Sequence, residues 1–143
     1  MAFTGNFTCN TFKTGLMDGS FDFGTGTTDV YYIALYTNAA TLDATTTAYN
    51  SVGEVSGSGY NPGGAQLSIT QVPTTGNSGT TAYISFANVV WNSSITARGA
   101  LIYKAGANGA VCVLDFGNDK TSTSTFTVQF PTPTNTSAII RIS

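Results

Sequence analysis

The stretch GEVSGSGYNPGG, residues 53 to 64, sets five glycines around Glu54, the only glutamate of the chain. Two chemistries could use such a run: a glycine-rich loop that holds a phosphate, or a carboxylate poised for acid–base work. A Walker-type loop needs a lysine and then Ser or Thr after its last glycine, and a dinucleotide loop needs GxGxxG between a strand and a helix. Here Gly57, Gly59 and Gly63 are spaced GxGxxxG, and the AQLSITQ that follows Gly64 reads as a strand, which offers an anion no helix N-terminus. The run therefore reads as backbone chemistry. Gly57 and Gly59 permit positive φ or a bulge, Asn61-Pro62-Gly63 is a turn, and Glu54 anchors loop amides through hydrogen bonds.

Other reactive groups are sparse. Histidine is absent, which removes the usual general base, the Ser-His and Cys-His pairs and the commonest ligand for zinc or iron. Cys9 and Cys112 have no CxxC spacing, and a disulfide between them would need the fold to bring them together in an oxidising compartment. Asp115 and Asp119 fall in DFGNDK, where Asp closes a turn more readily than it forms a catalytic pair with Glu54. The twelve residues from Asp18 to Asp29 place Asp18, Ser20 and Asp22 at the first, third and fifth positions of a calcium-type loop. Phe23 holds the sixth position, where the sharp turn wants glycine, and Asp29 is shorter than the bidentate glutamate such loops use. No catalytic, cofactor-binding or metal-binding residue is assigned.

Composition narrows the classes further. Charged residues make up 8% of the chain, against about a quarter in an average soluble domain, while Thr, Ser, Asn and Gly fill 65 of 143 positions. Lys13, Arg98, Lys104, Lys120 and Arg141 are scattered through a chain of net charge −2, so no patch can neutralise several phosphates and nucleic acid is excluded as a partner. No signal-type apolar segment and no run of membrane-spanning length occurs, predicting a protein made in the cytoplasm with no membrane partner.

These residues must be positioned by strands. NTFKTGLMDG spaces Phe12, Leu16 and Met17 for one short helix, with Asn10 as its cap and Gly19 as its stop. From residue 29 the period is two. DVYYIALYT is apolar on both faces, as in a strand covered on each side, and AQLSITQV puts Ala65, Leu67 and Ile69 on one face. TTAYISFANVVW sends Ala82, Ile84 and Phe86 one way and breaks near Asn88 before Trp91. ITARGALIYKA groups Arg98 and Lys104 with Ala100 and Ile102, and GAVCVLDF groups Ala110, Cys112, Leu114 and Phe116. TSTFTVQFP buries Phe126, Val128 and Phe130, and SAIIRIS closes the chain as a strand. The pattern predicts an all-β, single-domain sandwich or jelly roll: residues 1–28 form an arm with the short helix, and residues 29–143 the sandwich. Trp91 and seven tyrosines could build a sugar-stacking platform, though strand alternation already explains most of them as core.

Read together, YYIALYTNAATLDATTTAYNSVGEVSGSGYNPGGAQL, ITARGALIYKAGANGAVCVLDFGNDKTSTSTFTVQFP and the opening CNTFKTGLMDGSFDF resemble small virion proteins of tailed bacteriophages. The resemblance covers nearly the whole chain. It implies a jelly-roll cement (decoration) protein of a short-tailed phage, bound to the capsid exterior and bridging capsomers. Its implied partners are the major capsid protein and copies of itself. For docking, the apolar residues of the arm are the first candidates: Phe3, Phe7, Phe12, Leu16, Phe21 and Phe23, which could equally plug one end of the sandwich. The loops at 37–50 and 53–64 come next. The alternative is a tail-associated protein whose aromatics around Trp91 bind a glycan or a receptor.

Overall fold

β2 (Tyr31–Tyr36) shows how the alternation is used. Tyr31, Ile33 and Leu35 enter one apolar cluster, while Ala34 and Tyr36 enter another on the opposite face. The computed structural model describes residues 3–76 and 79–143. Its remaining elements are β1 (Phe7–Thr8), α1 (Asn10–Asp18), β3 (Ala65–Gln66), β4 (Ile69–Thr74), β5 (Ala82–Phe86), β6 (Val89–Trp91), β7 (Thr96–Lys104), β8 (Ala110–Thr121), β9 (Phe126–Val128) and β10 (Ile140–Ile142). The strands form a five-stranded sheet ordered β1-β8-β7-β2-β3, a three-stranded sheet ordered β10-β5-β4, and the pair β6-β9, all antiparallel. This is an all-β, sandwich-like protein with one short helix.

The larger apolar cluster lies between the five-stranded sheet and the two smaller ones, joining Ile33, Ala100 and Ile102 to Ile84, Phe86 and Val128. Fully burying an aliphatic side chain of this kind contributes about 1.5–3 kcal/mol. The second cluster covers the other face of the large sheet with Phe3, Ala40 and Leu42 from the arm and the long loop after β2. Gly99 on β7 makes room for this cover: a Cβ there would meet the Phe3 ring at 2.4 Å and the Leu114 carbonyl oxygen at 2.5 Å.

The structure corrects the sequence reading at four places. Asn10 does not cap α1; Cys9 does, extended at φ −68° and ψ 144°, with its carbonyl accepting from Phe12 and Lys13 at 3.0 and 3.2 Å. Asn10 is already helical and its Oδ1 accepts from Lys13 Nζ. Gly19 stops the helix as expected, in the left-handed region at φ 80°. AQLSITQV is two strands, since β3 belongs to the large sheet and β4 to the small one, although Leu67 and Ile69 keep a common inward direction. GAVCVLDF contains a bulge: Ile102 pairs with Cys112 but Tyr103 with Ala110, so Ala110 joins the second cluster and not the face of Cys112. Finally, DFGNDK is not a closing turn. β8 continues through it to Thr121, and its register against β7 shifts between the pairs Gly99–Asp115 and Ala97–Lys120, with Gly117 at φ 85°.

Candidate interaction surfaces

Glu54, Asp115 and the aspartates of the calcium-like segment are engaged in holding backbone. Glu54 Oε1 accepts from the Tyr60 hydroxyl at 2.8 Å and from Gly63 N at 2.7 Å, and Oε2 accepts from the Tyr49 hydroxyl at 2.6 Å. The Tyr60 oxygen accepts in turn from Leu35 N on β2 at 2.8 Å, and the Tyr103 hydroxyl donates to the Gly63 carbonyl at 2.7 Å. One carboxylate thus ties both halves of the loop at 37–64 to the large sheet. Gly64 at φ +82° completes the approach, because a Cβ there would lie 1.8 Å from the Ile33 carbonyl oxygen. Above this anchor Tyr32, Tyr103 and Tyr49 stack in a row, centroids 5.6 and 5.1 Å apart. Burial, with the Glu54 charge behind it, pushes the Tyr49 and Tyr103 hydroxyls up to about 12, and those of Tyr36 and Tyr60 higher.

Asp115 Oδ1 is bonded to Arg98 at 3.1 Å through Nε and 3.0 Å through Nη2, and accepts from Gly117 N at 2.8 Å. In the calcium-like segment Asp18 accepts from Ser20 N, Asp22 from Gly24 N, and Asp29 from Asp22 N at 2.9 Å while facing Lys104 Nζ at 3.4 Å. Lys104 also donates to the Ser20 carbonyl and lies over the Phe21 ring. Among the described residues no three of His, Cys, Asp and Glu gather as metal ligands.

Cys9 and Cys112 are brought near each other, as Thr8 pairs with Cys112, but both thiols are free and enter different apolar clusters. Burial raises them to about 11 and about 12. Trp91 is buried, stacked on Tyr60 and edge-on to Phe126, so its ring faces offer no sugar platform.

The arm residues divide. Phe3, Phe12, Phe21 and Phe23 are buried in this chain's own core, with Phe12 edge-on to Phe21 and Phe23, and Phe7 is half-buried. Leu16 is exposed. It stands in a groove of about 620 Å³ between α1 and the C-terminal segment, which continues into a narrower one of about 230 Å³. Phe12, Leu16, Ile140 and Ile142 line both. Met17 at 83% and Ile142 at 51% exposure stand on its rim. The sequence reading found the helix side of this surface. It missed Ile142, which looks like an ordinary strand residue until the fold sets β10 beside the helix, and it missed Tyr49 and Tyr60, which are signalled only by their nearness to the lone glutamate.

Among the described residues no helix is long and apolar enough to cross a membrane. No family model, curated protein or solved structure matches the chain.

Proposed function

We propose that the protein is a non-enzymatic cement protein of a tailed phage, bound outside the major capsid protein shell and bridging capsomers, so that its place is the exterior of the virion. The resemblance of the chain supplies the role. What supports it physically is the loop at 37–64: a long, nearly uncharged surface segment anchored at Glu54 by two tyrosine hydroxyls and an amide. A surface already ordered in the free protein loses little conformational entropy on docking. Many symmetry-related copies then act together, so each needs only a modest interface. The sparse charge of the chain allows such close packing without strong repulsion. Glu54 and Asp115, the carboxylates that an acid–base reading would need, serve as loop and strand anchors in this function.

The experiment is copy number per virion, by quantitative mass spectrometry of purified particles against the major capsid protein. Hundreds of copies in a simple ratio to the capsid subunit support the cement reading. A dozen or fewer overturn it and move the protein to the tail.

A further inference from the structure

The groove between α1 and β10 has a polarity along its length. Lys13 and Arg141 line its wider part, while Asp22 lines the narrower part, with Asp18 at the C-terminal end of the helix. All four residues are exposed, and the exposed apolar side chains Leu16, Met17 and Ile142 lie in the same groove or on its rim. A surface that is basic at one end, apolar in the middle and acidic at the other is complementary to itself under a two-fold rotation.

The backbone beside it has the same property. β10 is bonded to β5 on one side, and among the described residues no strand pairs with its other side. An unpaired edge is a template for another extended chain, and antiparallel pairing of an edge with its own copy is compatible with a two-fold axis. The opposite edge of that small sheet, β4, carries Pro73 and two register irregularities, the usual features that block such pairing. Centred on Ile140, the pairing sets Ile139 opposite the partner's Arg141 and avoids two facing arginines. Arg141 is also drawn aside, donating to the Asn135 carbonyl at 3.2 Å.

We infer that a second copy of this chain docks across the α1–β10 groove as an isologous dimer. In it β10 pairs with the partner's β10, the rim residues Met17 and Ile142 are covered, and Lys13 of each groove faces the acidic end of the other, while Arg141 lies beside the axis opposite the partner's Ile139. The inference is independent of the virion reading, since it concerns the purified protein alone, and copy number could fail while the dimer stands.

The test is sedimentation equilibrium of the purified chain. Wild type is expected to sediment at twice the 14.8 kDa chain mass, and raised salt to weaken association. Met17→Glu, at a position too exposed to disturb folding, enters the interface twice and is expected to weaken dimerisation by roughly tenfold or more. Charge reversal supplies the second measurement. Chains carrying Lys13→Glu are expected to dimerise poorly alone but to form mixed dimers with chains carrying Asp18→Lys. A wild type that remains monomeric, a dimer indifferent to Met17→Glu, or reversed chains that fail to prefer each other would each overturn the inference.

Discussion

Replacing Glu54 by alanine removes the acceptor for two tyrosine hydroxyls and one amide at once. A hydrogen bond to a charged group contributes about 1.5–3 kcal/mol net, and a buried donor left without a partner costs about 1–3 kcal/mol. The three donors do not count equally. Tyr49 is half-buried and its hydroxyl can turn to water, whereas Tyr60 is 5% exposed and cannot. Counting Tyr60 and Gly63 N in full and Tyr49 only slightly, Glu54→Ala should cost about 3–5 kcal/mol. At roughly 3 °C per kcal/mol for a chain of this length, the midpoint should fall by about 10–15 °C. Glu54→Gln keeps one acceptor oxygen and can reverse the bond to Tyr49, so about 1–2 kcal/mol is expected. Urea unfolding followed by fluorescence gives both values, and Tyr49→Phe should be milder than Tyr60→Phe, whose loss also strands Leu35 N. An alanine variant within about 1 kcal/mol of wild type would refute the claim that this carboxylate holds the loop.

Gly99→Ala should destabilise by about 2–3 kcal/mol through overpacking, since the Leu114 carbonyl is backbone and cannot step aside. Phe3→Ala should cost about 3–5 kcal/mol, and in a double-mutant cycle the Gly99→Ala penalty should shrink when Phe3 is already gone. Cys9 and Cys112, raised to about 11 and about 12 by burial, should not react with a thiol reagent at pH 8 in the native protein, and both should react once urea unfolds it. The tyrosines predict alkaline lability. Tyr49 and Tyr103 stand at about 12, well above their unfolded value, so between the two values the unfolded chain has released protons that the folded chain retains. Stability should therefore hold up to the ordinary tyrosine value of about 10 and fall as pH rises towards 12. Tyrosine absorbance at 295 nm should record ionisation late and together with unfolding.

Much of this protein is local and could be read from its residues. The alternation of YYIALYT marked a strand covered on both faces, TSTFTVQFP placed Phe126, Val128 and Phe130 inward, and Gly19 stopped the helix, because side-chain direction and left-handed backbone depend on near neighbours. The anchoring role of Glu54 was legible for the same reason, since one of its acceptors is used by Gly63 of the same loop. Which sheet a strand joins is not local. Nothing in AQLSITQV separates β3 from β4, and nothing in GAVCVLDF marks the extra residue opposite Ile102 and Tyr103, for these are set by partners on distant strands. The arm shows the division most clearly. Its aromatic residues announced that an apolar surface would be covered, and their types did that without reference to the fold. Only packing decided that Phe3, Phe12, Phe21 and Phe23 cover this chain's own core, leaving Leu16 and Met17 beside Ile142, more than a hundred residues along the chain, as the surface that still faces outward.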